Sequence, residues 1–157
     1  MFYDANNDLH IYGGGIPTAN TSSSSRVTTS PIQNNIWSWS SNTSSWSSSE
    51  LTALRSRYAP TYALSAHAPE HHLFFYFNGI LSNGSNASVF PNMIVMNTHT
   101  KDVRVVSTDG ISPDTIRVGA ILQYLPLMGT RGALVLFGGA TKHNADIIDR
   151  WGTMVCI

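Results

Sequence analysis

The chain is 157 residues long, with nine Lys and Arg against nine Asp and Glu, so its formal net charge is zero. At roughly 150 residues per domain one domain is expected, long enough to bury a real core, and the balanced charge argues against a nucleic-acid groove, which needs clustered cations to neutralise phosphates. Charged residues make up only 11%, no apolar run approaches the roughly 18 residues that span a bilayer, and the single Cys156 leaves neither a disulfide framework nor a cysteine zinc cluster.

Met1-Phe2-Tyr3-Asp4 lacks the basic start and apolar core of a signal peptide. The first strand signal is Leu9-His10-Ile11-Tyr12, which runs into Gly13-Gly14 and a polar insertion, 15–33. Residues 20–50 form a compositional island in which seventeen of thirty-one are Ser or Thr. Hydroxyl runs such as Thr21-Ser22-Ser23-Ser24-Ser25 compete for backbone hydrogen bonds and favour loop. Inside the island, Asn35-Ile36-Trp37-Ser38-Trp39-Ser40 alternates large and small residues, the period of a strand with one packed face, and Trp46 lies beyond it. Ser47-Ser48-Ser49-Glu50 before Leu51 and Leu54 has the form of a helix capping box, but Pro60 leaves room for little more than one turn. Ser65-Ala66-His67-Ala68-Pro69-Glu70-His71-His72 reads as a turn between strands. Short apolar runs follow at Leu73–Phe77, Met93–Met96, Val103–Val106, Ile121–Tyr124 and Leu134–Phe137, most bounded by Gly, Pro, Asn, Asp or Ser. Trp151–Ile157 could supply one more. Strands without intervening helices predict an all-β fold.

An internal repeat narrows the architecture. With Arg57 placed over Arg117, an offset of 60, Phe74-Phe75-Tyr76-Phe77 falls on Leu134-Val135-Leu136-Phe137 and Asn78-Gly79 on Gly138-Gly139. A third, earlier copy supplies Leu9–Tyr12 and Gly13-Gly14 but lacks its first strand. After each of the first two doublets comes a polar insertion, 15–33 or 80–91, and then two more strands. The pairs Trp39/Trp46 and Met96/Val103 each stand seven residues apart.

An apolar strand ending in Gly13-Gly14, a variable loop, then Trp39 and Trp46 resembles the kelch motif, as does the Arg-bearing first strand. The likeness covers essentially the whole chain; in the middle copy Asn78-Gly79 and Met96/Val103 depart from it. The long Ser/Asn-rich insertions look like those of kelch proteins from filamentous fungi. The resemblance implies a partial β-propeller of about two and a half four-stranded antiparallel blades: an incomplete blade with the Ser/Thr-rich insertion at 1–50, a blade at 51–110 and an incomplete blade at 111–157. Trp39 and Trp46 are then expected to fill the space between blades. Since propellers close with about four to eight blades, a fragment of a longer chain carrying further blades is expected.

Chemistry-bearing patterns are few. Asn20, Asn42, Asn83 and Asn86 head Asn-x-Ser/Thr sequons in expected loops or turns. They point to a secreted or cell-surface parent protein. His67, His71 and His72 flank Glu70, but a turn would present these rings outward without the fixed geometry of a metal site. Galactose-oxidase relatives of the kelch fold use copper, and no match to their Tyr/His/Cys constellation stands out. No nucleophile elbow occurs, and Gly13-Gly14-Gly15 is followed by Ile16-Pro17 rather than a helix, so no phosphate fingerprint fits. Arg57 and Arg117 read as structural. Neither a cofactor nor a metal is expected. The expectation is a non-catalytic module binding a protein partner through loops on one propeller face. The alternatives are a fragment of a galactose-oxidase-like enzyme and a glycosylated cell-surface structural segment.

Overall fold

The computed structural model describes residues 1–4, 6–13, 16–18, 28–30, 35–51, 54, 60–83, 86–108, 117–118, 120–138, 140–143 and 146–149. The chain is all-β, built as three successive units of one plan. In the first, β1 (Phe2–Tyr3) and β2 (Leu9–Tyr12) are followed by an inserted hairpin, β3 (Ile16–Thr18) and β4 (Thr28–Ser30), and then by β5 (Asn35–Ser40) and β6 (Ser45–Glu50). The first sheet is antiparallel in the order β1-β2-β5-β6. The second unit repeats this with β7 (Leu64–Ala68), β8 (Leu73–Phe77), the hairpin β9 (Ile80–Asn83) and β10 (Asn86–Val89), then β11 (Asn92–Asn97) and β12 (Val103–Ser107). Its sheet has the order β12-β11-β8-β7. The third unit contains β13 (Arg117–Val118), β14 (Ile121–Leu125), β15 (Ala133–Phe137) and the hairpin β16 (Ala140–His143) with β17 (Asp146–Asp149). There β14 pairs with β15, and β13 joins β16. Among the described residues no helix is long and apolar enough to cross a membrane.

Several expectations need correction. The first unit does not lack its opening strand: Phe2 pairs with His10 and Tyr3 with Leu9. Ser45–Glu50 is strand β6, because each residue from Asn35 to Ser40 finds an antiparallel partner there and sheet pairing outweighs the capping-box pattern. His67 lies in β7, so only Pro69–His72 forms the turn. The insertions are not plain loops, since the first two contain the paired strands β3–β4 and β9–β10. The 60-residue offset holds for β8 and β15, but β7 and β14 are 57 apart because residues 126–132 make a longer turn than 69–72. The equivalent bridges Thr61↔Ile80 and Val118↔Ala140 confirm the register. Arg117 is therefore level with Pro60, not with Arg57.

The sheets stack face to face. Strand side chains alternate between faces, and the second sheet is apolar on both. Phe74, Tyr76, Ile94 and Met96 pack with Phe2, Tyr12 and Ile36 of the first sheet. Phe77, Met93, Val95, Leu64, Ala66 and Ala68 pack with Leu122, Tyr124, Leu134 and Leu136 of the third. Phe2 meets Phe74 with ring centroids 4.3 Å apart, and Tyr12 meets Tyr76 edge-on at 5.1 Å. Leu51 and Leu54, just beyond β6, and Phe90, just beyond β10, seal the first of these cores. Fully burying an aliphatic or aromatic side chain contributes about 1.5–3 kcal/mol, so these two interfaces dominate the stability of the stack.

The doublets explain how each second strand turns into its hairpin. Their first residue is left-handed in all three units: Gly13 at φ +77°, Asn78 at +59° and Gly138 at +64°. Asn is the side chain that best tolerates this region, which is why it can stand in for glycine in the middle copy. It is buried, and its Oδ1 accepts a hydrogen bond from the Gly79 N–H at 2.7 Å. At Gly13 an added Cβ would overlap the Tyr76 hydroxyl. That hydroxyl donates to the Pro60 carbonyl at 2.9 Å, and burial pushes its pKa up to about 12.

These contacts set three expectations. Gly13→Ala should cost about 2 kcal/mol or more in a urea titration, since left-handed strain alone is about 1–2 kcal/mol and the Tyr76 overlap adds to it. Asn78→Gly should be milder than Asn78→Ala by about 1 kcal/mol, because only glycine keeps φ without strain. Tyr76 holds its proton more tightly folded than unfolded, so its contribution is intact below about pH 10 and declines as pH rises towards 12. Tyr76→Phe should flatten that alkaline limb of the melting-temperature profile.

Candidate functional site

Among the described residues, a dense polar constellation lies where the first and second sheets meet at the end remote from the doublets. Its foundation is the loop between β1 and β2. Asp4 Oδ1 accepts from the backbone N–H of Asn6 at 2.9 Å and of Asp8 at 3.1 Å, which folds the loop and turns Oδ2 towards β2. There His10, with only 3% of its surface exposed, places Nε2 2.9 Å from Asp4 Oδ2 and Nδ1 2.7 Å from Ser38 Oγ. Its ring stacks on Phe2 at 4.9 Å.

The second sheet supplies a cation. The turn between β11 and β12 is organised by Asn97, whose Oδ1 accepts from the His99 and Thr100 N–H groups at 2.9 Å. Lys101 occupies a left-handed position there, φ +65°, matching Ser44 at +49° in the first sheet. Its Nζ donates to the Thr98 carbonyl at 2.8 Å and lies 3.7 Å from Asp4 Oδ2 and 3.3 Å from His10 Nε2. With Asp4 ionised, Nε2 carries the proton it donates, so the ammonium is drawn by the carboxylate and carbonyl rather than by the ring.

Charge and burial act in opposition on both ends. Burial raises the Asp4 pKa, but hydrogen bonds from His10, Asn6 and Asp8 and the charge of His10 outweigh it, and the net direction is down. Burial lowers the Lys101 pKa against the attraction of Asp4 and Asp8, and the net direction is again down. A hydroxyl, an imidazole and a carboxylate in series are the parts of a proton relay. Here, however, the imidazole is enclosed, both its nitrogens are engaged, and the cation comes from the facing sheet. The arrangement is a polar clasp joining the two sheets.

The residues singled out in the sequence fall elsewhere. Gly13, Asn78-Gly79 and Gly138 form the strand-to-hairpin turns. Trp39 and Trp46 are direct cross-strand partners with rings 5.5 Å apart, as Met96 and Val103 are partners in the second sheet. Met96 fills the space between sheets, but Trp46 is 48% exposed, because its face of the first sheet is turned away from the second. The expectation of tryptophan filling between sheets is corrected to that extent. Asn42 is exposed in the β5–β6 turn; Asn83 ends β9 and Asn86 begins β10, so both stand at strand positions. Asn20, Arg57, Gly14, Gly139, Cys156 and the stretch Trp151–Ile157 lie outside the described residues, and of Arg117 the strand pairing alone is described.

The three histidines do not converge. His67 tilts against Phe2 at 5.6 Å, His71 meets Tyr124 edge-on and His72 lies beside His99. Burial pushes the His67 pKa down, with Glu70 opposing and His72 adding, and its Nε2 is buried without a hydrogen-bond partner. Among the described residues no three His, Cys, Asp or Glu side chains are grouped to hold a metal. Sequence reasoning missed Asp4, His10, Ser38 and Lys101, which no local spacing links. The one available signal was a histidine inside an apolar strand, a residue that needs a partner wherever it is buried.

No protein-family model matches the chain, and no curated protein matches it.

Asp4 binds its proton less tightly folded than unfolded, so the stability it contributes is present above about pH 4 and lost as pH falls through its lowered folded value. Asp4→Asn should flatten this acid limb in melts between about pH 2 and 6. Asp4→Ala should cost roughly 1–3 kcal/mol at neutral pH, the penalty for a buried polar group left unpaired.

Proposed function

We propose that the chain is a kelch-type interaction module, about two and a half blades of a β-propeller, which binds a protein partner through the hairpins that leave its sheets and performs no catalysis. The observation that carries this reading is positional. In each unit a hairpin follows the doublet: β3–β4 after Gly13, β9–β10 after Asn78-Gly79 and β16–β17 after Gly138. Gly13 lies against Tyr76 and the Pro60 carbonyl, which sets the doublet ends of the first two sheets side by side. Segments at one end of a rigid stack are free to vary without disturbing a core, and this is where binding specificity accumulates. The enclosure of His10 supports the non-catalytic reading, since a substrate needs access to the relay. The sequons support a secreted or cell-surface parent as the setting.

The hairpin tips give the test. Replacing residues 82–87 by a two-residue Asn-Gly turn shortens the hairpin and leaves its base at Ile80–Leu81 and Ser88–Val89, so it should shift the melting temperature by no more than about 2 °C, the scale of a change below about 1 kcal/mol. In affinity capture from extracts of the source organism, the same change should remove partners that the unaltered chain retains. Partners held equally by both forms would overturn the hairpin reading.

A further inference from the structure

The first sheet has two faces of different fate. One packs on the second sheet. On the other, the register aligns Tyr3, Leu9, Trp39 and Trp46 in one row across the four strands and Ile11, Trp37 and Ser48 in the next. Tyr3 is 56% exposed, Trp37 46% and Trp46 48%. A contiguous aromatic surface of this kind on a sheet marks an interaction site.

The repeat identifies what fits it. Leu9, Ile11, Trp37 and Trp39 occupy the positions of Phe74, Tyr76, Ile94 and Met96 in the second sheet, and those four are buried against the preceding sheet. The opposite end of the stack shows the converse. Ile121 and Phe137 are cross-strand partners, 64% and 50% exposed, and they stand at the positions of Leu64 and Phe77. Leu64 and Phe77 are buried against the following sheet. Val135 and Ala133, on the same side of β15 as Phe137, are already buried, so the free part of that face is the Ile121–Phe137 corner.

Each end of the stack thus displays the exposed counterparts of side chains that are buried at the two internal interfaces, and the two ends are complementary to one another rather than to themselves. The aromatic rows carry no Lys or Arg, and the Ile121–Phe137 corner is flanked by the neutral Gln123, so apolar contact is what both surfaces offer. We propose that the chain self-associates head to tail, the tryptophan face of one copy receiving the Ile121–Phe137 corner of a second copy and extending the internal stacking across molecules. Such a heterologous contact yields a ring if its rotation closes and an open filament otherwise.

Sedimentation velocity and light scattering over about 5–500 µM, a span covering weak to moderate affinities, decide the matter. The unaltered chain should show a weight-average mass that rises at least twofold with concentration. Trp37→Glu spoils only the receiving face and Phe137→Glu only the donated corner, so each alone should stay at monomer mass. Mixed in equal amounts they should form a one-to-one complex, since each retains the surface the other has lost. Near-ultraviolet circular dichroism establishes that both are folded, and Trp37→Ala with Phe137→Ala serve should a glutamate variant unfold. A chain that stays monomeric throughout overturns the proposal. So does self-association abolished by Trp37→Glu but untouched by Phe137→Glu, which would show tryptophan faces meeting each other.

Discussion

A sheet that is apolar on both faces cannot stand alone, and the second sheet is such a sheet. Its two middle strands, β8 and β11, read almost without interruption as large apolar residues, and alternation sends Phe74, Tyr76, Ile94 and Met96 one way and Phe77, Met93 and Val95 the other. A slip of one residue in either strand would exchange these sets and leave each neighbour facing the wrong partners. The register is thereby fixed from both sides. The first sheet is asymmetric by contrast: His10, Tyr12 and Ile36 face inward, while tryptophan and serine divide the remainder.

Against that background the polar clasp has a distinct task. Apolar stacking is non-directional, and the Phe2–Phe74 and Tyr12–Tyr76 contacts supply buried area more than a fixed alignment. The tie of Lys101 to Asp4, 3.7 Å across the two sheets, is positional, whereas the bonds from Ser38 through His10 to Asp4 lie within the first sheet and move with it. Each such bond contributes about 1 kcal/mol net, less than one buried phenylalanine, so the clasp adds little to the sum of the stability. It satisfies the buried imidazole at both nitrogens from within its own sheet and leaves the Lys101–Asp4 ion pair as the tie to the facing one. The left-handed backbone of Lys101 belongs to the same logic: the hairpin turn between β11 and β12 places this residue where it can reach Asp4, at some cost in strain.

Much of the strand layout was legible because it rests on local patterns. Leu9–Tyr12, Asn35–Ser40 and Leu73–Phe77 end where the apolar run or alternation ends, and the spacing of Trp39 from Trp46 and of Met96 from Val103 turned out to be the span of a hairpin closing on itself. What escaped were elements held by partners far away in the chain. Phe2–Tyr3 is too short to signal a strand and exists because Leu9–His10 lies beside it. Ser45–Glu50 has the composition of a loop and is a strand because β5 offers it six antiparallel partners. The arginine alignment failed for a different reason. A turn lengthened from 69–72 to 126–132 breaks the period between the first and second strands, and an ungapped comparison absorbs that break by matching the wrong residues. The clasp was the least legible, since Asp4, His10, Ser38 and Lys101 come together only after two sheets have formed and met.

The same distinction between local and distant constraint bears on the hairpins proposed as the binding elements. Core positions answer to two sheets at once, so substitution there is constrained from both sides. The hairpins answer to less. In the second unit the base is tied in, through the Thr61–Ile80 bridge, the bond from Phe90 N–H to the Gly79 carbonyl, and Leu81 and Phe90 packed into the core. Beyond that base the two strands stay paired as far as Asn83 with Asn86. The second hairpin is thus anchored like the sheets and diversifiable like a loop, and the left-handed doublet residue at its root is what permits both.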